Sequence, residues 1–126
     1  MKLKCLIDYK IINPDETIEK NNIDAIYEDN KMSYKDDVDS MNITINEDNI
    51  VMTKDNFSST TTLNFIKDKK TDSEYLIKSL NSKLNVKVKT NILEITDNKI
   101  YIEYEIWFEE EYSGKFIYDL YIKEME

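Results

Sequence analysis

The amino-acid sequence predicts an all-β fold, a single antiparallel β-barrel of about 8–10 strands with little helix. Apolar and polar residues alternate along most of the chain, which is the pattern of strands with one buried face. These runs are short, and turn-forming residues separate them at intervals of roughly 8–12 residues. Closing the sheet on itself hides the edge strands, so a barrel is the simplest architecture for this pattern.

The composition fits one domain and restricts its partners. A chain of 126 residues with 40% hydrophobic residues is long enough for a single domain, residues 1–126, with a sizeable core. The formal net charge is -9 and every basic residue is a lysine, which disfavours nucleic acids and anionic membranes as partners. Asp8 and Lys10 interrupt the N-terminal apolar run, so it does not resemble a signal peptide. The single cysteine, Cys5, fits a reducing compartment, and we expect a cytoplasmic protein with no membrane contact.

The first half of the chain contains six predicted strands. The first covers residues 2–12 and ends at Asn13–Glu16, because Pro14 cannot donate to a ladder and favours a turn. The second strand begins at Ile23. The predicted inward rows of the third to sixth strands are, in order, Met32 and Tyr34; Met41, Ile43 and Ile45; Ile50 and Met52; and Phe57, Ser59, Thr61, Leu63 and Phe65.

Asp-Asn pairs mark several of the turns between strands. They occur at residues 29–30, 48–49, 55–56 and 97–98. Asparagine is the residue other than glycine that best tolerates positive φ, and Asp-Gly or Asn-Gly is the usual two-residue hairpin turn. We therefore interpret these pairs as hairpin turns in which asparagine takes the place of glycine.

Residues 67–96 contain one ambiguous element. Residues 67–72 have the composition of a charged turn, but Thr71–Glu74 also matches a capping box that would begin a short helix over residues 73–82. The alternative is a strand at residues 74–78 followed by a turn at Leu80–Lys83. In the strand that follows, the alternation changes parity near Asn91, as a β-bulge would cause.

The segment Lys99–Lys123 carries the cleanest alternation and predicts a closing hairpin with its turn at residues 109–114. We predict that Phe108 lies opposite Phe116, which places Trp107 against Ile117. The outward face of the hairpin then contains an apolar patch of four residues, Tyr101, Trp107, Ile117 and Tyr121. Such a patch is more apolar than a surface strand needs and is typical of a protein-interaction or homodimer interface.

The chain lacks the residue sets that most catalytic and metal sites require. With no histidine and one cysteine, it has no Ser-His or Cys-His arrangement and no zinc ligand set. It also lacks a P-loop and a glycine-rich dinucleotide turn. A calcium loop beginning at Asp37 fails because Asn42 stands where glycine is needed. Carboxylate pairs remain possible among 26 acidic residues, but we expect a non-enzymatic protein without metal or cofactor.

Four segments between Ile23 and Glu124 resemble the YwiB-like proteins of Firmicutes, a family of unknown function with a calycin-like (lipocalin-like) β-barrel. They are MSYKDD, ITINEDNIVMTKDN, EYLIKSLNSKLNVKVKT and YEIWFEEEYSGKFIYDLYI. Lys54 stands where the family has arginine, Asn56 stands where it has glycine, and residues 79–82 replace a Thr-Pro-Tyr-Gly turn. The resemblance implies a calycin-like barrel, favours the strand interpretation of residues 74–78, and implies no established activity.

The inward rows are rich in tyrosine and methionine, and calycin-like barrels often hold an apolar ligand in the interior or the mouth. The predicted ligand contacts are Tyr34, Lys54, Tyr75 and Tyr104, with Lys54 facing an anionic group of the ligand. The alternative is that these side chains fill the barrel. The expected function is therefore binding of a small apolar or amphipathic ligand, and the alternative is an interaction module that uses the outer face of the C-terminal hairpin.

Overall fold

The computed structural model describes residues 2–125 and confirms the all-β prediction. The described residues form ten strands in a closed antiparallel barrel, in the order β1-β10-β9-β8-β7-β6-β5-β4-β3-β2. The strands are β1 (Lys2–Ile12), β2 (Thr17–Glu28), β3 (Lys31–Asp36), β4 (Asp39–Ile45), β5 (Ile50–Asp55), β6 (Ser59–Phe65), β7 (Lys70–Ile77), β8 (Ser82–Thr96), β9 (Lys99–Phe108) and β10 (Glu111–Met125).

The ambiguous segment is a strand and not an α-helix. Strand β7 runs to Ile77, and a single 3-10 turn, Lys78–Leu80, joins it to β8. The predicted charged turn is shorter than expected, because β7 already begins at Lys70. Among the described residues, no helix is long and apolar enough to cross a membrane.

Two of the predicted strand ends are wrong. Strand β2 begins at Thr17, six residues before Ile23, because a bulge separates two halves that differ in parity. Phe57 does not belong to the inward row of β6. It lies in the β5–β6 turn and is 96% exposed.

The Asp-Asn pairs mark turns as predicted, but their asparagines do not take positive φ. In the first pair Asp29 has the positive φ, at 60°, and in the other three pairs neither residue does. The asparagines contribute through their side chains instead. The Asn56 carboxamide oxygen, for example, accepts hydrogen bonds from the backbone N–H groups of Ser58 and Ser59, each at 2.9 Å.

The predicted bulge near Asn91 is present, since the β8–β9 register shifts between Thr90 and Ile92. The predicted register of the closing hairpin is wrong. Phe108 lies opposite Glu111 and not Phe116, because Glu109 and Glu110 form a two-residue turn with φ values of 50° and 72°. Positive φ at both central residues is the requirement of a type I′ hairpin turn.

Side chains from nearly every strand fill the interior of the barrel. The largest fully buried ones are Tyr118, Phe65, Ile7, Met32, Ile43, Ile50, Ile100, Ile102, Leu120, Val88 and Thr90. Aromatic rings pack at the centre of this core: the ring of Tyr104 lies between Phe65, at 4.8 Å, and Phe116, at 5.5 Å. The middle of the barrel is therefore a packed core, and open space lies at its wall and its mouth.

Candidate functional site

The barrel wall is interrupted between β2 and β3. Strand β2 pairs with β3 only over Ala25–Glu28, although it pairs with β1 along most of its length. Within the described residues, Thr17–Asp24 therefore have a ladder partner on one side only. We call this interruption the seam.

A bulge in β2 produces the seam. The β1–β2 register shifts between Ile7 and Tyr9, so that the two asparagines Asn21 and Asn22 stand opposite Asp8. Asn22 has φ of 58°, and its backbone N–H donates to Asp8 Oδ1 at 2.9 Å. A bulge bends its strand and increases the local twist, which directs the first half of β2 away from β3.

A groove of about 980 Å³ lies along the seam and continues over β4. Its walls come from two adjacent cross-strand rows. One is the outward row that contains Lys4, Ile26 and Ser33, and the other is the inward row that contains Ala25 and Tyr34. The groove therefore reaches from the outer surface to side chains of the core. The further lining residues are Cys5, Asn22, Ile23, Asp24, Lys35, Ser40, Met41 and Asn42.

A second, smaller cavity of about 80 Å³ lies at one end of the barrel, which carries the β1–β2 and β3–β4 turns and which we call the mouth. Tyr34 and Met41 line both this cavity and the groove, so these two side chains separate the two spaces. The remaining lining residues are Tyr9, Ile11, Ile18, Asp36, Asp39 and Lys54.

Side chains, and not ladder hydrogen bonds, close the seam beside the mouth cavity. The Tyr9 hydroxyl donates to Asp36 Oδ2. Lys20 Nζ lies 3.8 Å from Asp36 Oδ1 and 3.6 Å from Asp37 Oδ2. Burial and the hydrogen bond to Asp36 raise the pKa of Tyr9, so the hydroxyl keeps its proton and the contact persists at neutral pH. We call the contacts of Tyr9, Lys20 and Asp36 the latch.

Three of the four predicted ligand contacts lie in one row. Tyr34, Lys54 and Tyr75 belong to the inward cross-strand row Tyr34–Met41–Lys54–Thr61–Tyr75. Tyr34 and Lys54 both line the mouth cavity, where Lys54 Nζ lies 3.7 Å from Asp39 Oδ2. Tyr75 packs against Phe108 with ring centroids 5.9 Å apart.

The fourth predicted contact, Tyr104, lies apart from the other three, deep in the aromatic core and only 5% exposed. Burial raises its pKa, so its hydroxyl is neutral at physiological pH. Nearby Thr90 Oγ1 is buried without a hydrogen-bond partner among the described residues. Neither Tyr104 nor Thr90 lines the groove or the mouth cavity.

The hairpin register also divides the predicted interaction patch. Trp107 lies opposite Tyr112, with ring centroids 5.3 Å apart, and Lys70 Nζ lies 3.9 Å from its ring centroid. Tyr101 is six positions away along β9, about 20 Å at the rise of a strand, with the charged residues Glu103 and Glu105 between. Ile117 and Tyr121 lie toward the Tyr101 end, opposite Glu103 and Lys99, respectively.

The alternation of β2 contains a signal for the seam. Ile18 and Ile23 both belong to inward rows, yet five positions separate them, which is an odd number. A change of parity at Asn21 and Asn22 indicates a bulge, as it does at Asn91.

No group of three or more His, Cys, Asp and Glu side chains in residues 2–125 is placed to hold a metal ion.

Comparisons with known proteins bear on the fold. No protein-family model matches the chain, and no curated protein matches it. The structure is similar to the crystal structure of YwiB protein from Bacillus subtilis, with a TM-score of 0.59 and 13% sequence identity. The match covers 98% of this chain and 92% of that chain. At this identity the likeness concerns the architecture alone, and the chain has a YwiB-like fold.

Proposed function

We propose that the protein is a cytoplasmic, non-enzymatic β-barrel that binds a small amphipathic ligand in the groove at the seam. The observation that carries this proposal is the contrast between a packed interior and a groove of about 980 Å³ in the wall. Pockets for small ligands have volumes of roughly 300–1,000 Å³, whereas the mouth cavity, at about 80 Å³, holds little more than a terminal group.

The lining of the groove favours a ligand with an apolar body and an anionic or polar head. Ala25 and Met41 supply apolar surface from the inward row, Ile26 supplies it from the outward row, and Lys4 and Lys35 supply ammonium groups. Ile26 is 39% exposed, so a ligand would remove apolar surface from water. A ligand that extended past Tyr34 would reach Lys54 in the mouth cavity, which is the contact that the sequence predicts for an anionic group.

The remaining parts of the proposal rest on composition and on the fold likeness. A chain without histidine lacks the Ser-His and Cys-His arrangements of nucleophilic catalysis, which supports binding over chemistry. The lone cysteine also supports a cytoplasmic location. The YwiB-like architecture and the four similar segments support distant kinship with the YwiB-like family and its calycin-like topology.

The test uses 1-anilinonaphthalene-8-sulfonate, an amphipathic anion whose fluorescence rises in apolar surroundings. Its binding to the wild-type chain is measured by fluorescence titration, and its position by amide chemical shifts. The largest shifts are expected at Ala25, Ile26 and Lys35. Ser40→Phe should weaken binding about tenfold, or ~1.4 kcal/mol, because the ring occupies the groove.

Thr62→Phe is the matched control, since Thr62 lies on the outer face of β6, away from the groove. It should leave the affinity unchanged. Equal losses in Ser40→Phe and Thr62→Phe, or chemical shifts centred on another surface, would contradict the proposed site.

A further inference from the structure

The two ends of the barrel differ in the chemistry of their turns. The mouth end carries the turns at residues 13–16, 37–38, 56–58, 78–81 and 109–110. Three of them present an apolar tip: Val38 is 77% exposed, Phe57 is 96% exposed and Leu80 is 70% exposed. Among the described residues, these are the three most exposed large hydrophobic side chains. We call them the apolar tips.

In the described residues, the turns of the opposite end present no large exposed hydrophobic side chain, although they also connect neighbouring strands of the barrel. Its connections are residues 29–30, 46–49, 66–69 and 97–98, and their exposed positions are Asp, Asn, Glu and Lys. Polar residues and glycine are the usual turn formers. Turn geometry therefore does not require Val38, Phe57 or Leu80, and burial in the core does not explain them.

The three apolar tips lie on consecutive hairpins and are tied together by hydrogen bonds. Asn56 Nδ2 donates to Asp39 Oδ1 at 2.9 Å, which joins the β5–β6 turn to the β3–β4 hairpin. Lys78 Nζ donates to the Asn56 carbonyl at 2.7 Å and lies 2.9 Å from Asp55 Oδ1. The Lys78 contact lowers the pKa of Asp55, as expected for a paired carboxylate.

These hydrogen bonds and the ion pair of Lys78 with Asp55 hold the apolar tips at a fixed spacing. Hairpins two strands apart stand about 10 Å from each other, so the tips form an arc of about 20 Å. An arc held in place before binding loses little conformational entropy when a partner covers it.

The other half of the same rim is acidic. Its exposed carboxylates are Asp15, Glu16, Glu109, Glu110 and Glu111. The two turns that carry them are neighbours, because Pro14 packs against Gly114 so closely that a Cβ at Gly114 would overlap Pro14 Cγ.

The two halves of the rim differ in how their charges are compensated. Within residues 2–125, none of the five acidic-rim carboxylates lies within 4.0 Å of a lysine ammonium group. In contrast, all four carboxylates beside the apolar tips lie within 4.0 Å of a lysine ammonium group, with Asp36 and Asp37 sharing Lys20; the four are Asp36, Asp37, Asp39 and Asp55. One half of the rim is therefore apolar with most of its negative charge compensated, and the other half is uncompensated and negative.

We propose that the mouth end is a docking surface for a cationic amphipathic polypeptide segment of a partner protein. The apolar side chains of the segment cover Val38, Phe57 and Leu80, and its lysine or arginine side chains pair with the acidic half of the rim. The charge pattern disfavours the other candidates. The uncompensated carboxylates repel anionic lipids and nucleic acids. A second copy of the chain is also disfavoured, because each copy has a net charge of -9.

The test uses a synthetic amphipathic Leu/Lys peptide, with binding to the full chain measured by titration calorimetry at two salt concentrations. The combined change Val38→Asn, Phe57→Ser and Leu80→Asn should weaken binding at least about tenfold. All three side chains are exposed, so the variant should fold as the wild type does. The combined change Glu16→Gln, Glu110→Gln and Glu111→Gln should weaken binding and flatten its salt dependence.

Two control variants match these changes at other places on the barrel. Ile95→Asn with Tyr121→Ser removes exposed apolar surface away from the mouth end, and Glu47→Gln, Asp48→Asn and Asp97→Asn remove charge from the opposite-end turns. Neither should change the affinity. The proposal is overturned if the wild type does not bind the peptide, or if the controls weaken binding as much as the rim variants.

Two further outcomes would assign the surface to another occupant and overturn the proposal. One is sedimentation of the wild-type chain, but not the apolar-tip variant, with phosphatidylcholine vesicles, which would indicate a membrane contact. The other is a dimer in light scattering that the apolar-tip variant abolishes, which would indicate a second copy of the chain.

Discussion

Tyr34 and Tyr118 share a hydrogen bond between their hydroxyl groups inside the barrel. Tyr34 is 5% exposed and Tyr118 is 1% exposed, so neither hydroxyl has ready access to water. Burial raises the pKa of both side chains above the ordinary value of 10.0. Because Tyr34 also lies between the groove and the mouth cavity, this pair fixes the wall between the two spaces.

We predict a strongly non-additive double-mutant cycle for this pair. Tyr118→Phe should lower the free energy of unfolding by about 1–3 kcal/mol, because it leaves the Tyr34 hydroxyl buried without a partner. Adding Tyr34→Phe should restore much of the loss, since both polar groups are then gone. Urea unfolding gives the free energy of unfolding of the wild type, the two single variants and the double variant. Tyr121→Phe, at an exposed position, is the control. Additive losses would contradict the pairing.

The same double variant has an expected signature at high pH. The folded-state pKa of each tyrosine lies above the unfolded value, so the unfolded chain releases its protons first as pH rises. The contribution of the pair to the free energy of unfolding is therefore fully present below about pH 10 and is lost progressively above that pH. In Tyr34→Phe with Tyr118→Phe this alkaline loss of stability should be smaller than in the wild type.

At the scale of the strand, alternation was sufficient to locate most elements, since parity is a local property of the chain. The buried pairs Met32 and Tyr34, and Met41 and Ile43, lie where the sequence predicts. The register of the closing hairpin could not be predicted in the same way. It depends on the backbone of Glu109 and Glu110, and glutamate gives no sign that it will adopt positive φ.

This turn gives a prediction at the same scale. Glu110 has φ of 72°, and a left-handed backbone costs roughly 1–2 kcal/mol for a residue other than glycine. Glu110→Gly should therefore raise the free energy of unfolding by about 1 kcal/mol. Glu109 is left unchanged in this variant, because its Oε1 accepts a hydrogen bond from the backbone N–H of Asn85 at 3.1 Å.

Glu111→Gly is the matched control for this change. Glu111 is also exposed but lies in β10 without positive φ, so glycine there should lower stability by about 0.5–1 kcal/mol. Chemical denaturation of the two variants measures the difference. A fall in stability in both variants would show that positive φ at residue 110 carries no strain.

At the scale of the whole barrel, the sequence predicts part of the candidate site. Tyr34 and Lys54 are predicted as contacts of one ligand, and the strand pairing brings both side chains to the mouth cavity. The groove was not expected, because it depends on where β2 leaves β3. The change of parity within β2 indicates the bulge, but the divergence also depends on the contact between Asn22 and Asp8, which are 14 residues apart.

The seam makes the closed barrel unequal in stability around its circumference. In the described residues, every other pair of neighbouring strands has backbone pairing that reaches the mouth end. At the seam, the latch of Tyr9, Lys20 and Asp36 takes the place of the ladder. Local opening begins where few backbone hydrogen bonds must break, so the seam is the expected entry path to the groove.

Amide hydrogen exchange tests this view of the barrel. Amides in Thr17–Asp24 should exchange faster than those in Ala25–Glu28, because only the second half of β2 is paired on both sides. Asp36→Ala should accelerate exchange in Thr17–Asp24 by about tenfold, since a hydrogen bond to a charged group is worth about 1.5 kcal/mol or more. Exchange in β9, on the far side of the barrel, should stay the same.

Asp119→Ala provides the comparison, because Asp119 pairs with Lys99 at 3.9 Å on a wall where the ladder is continuous. This change removes a carboxylate from an ion pair but no contact that closes the barrel. It should leave exchange in Thr17–Asp24 unaffected. If Asp36→Ala and Asp119→Ala accelerated exchange equally, or if both halves of β2 exchanged at one rate in the wild type, the seam would not be the place where this barrel opens.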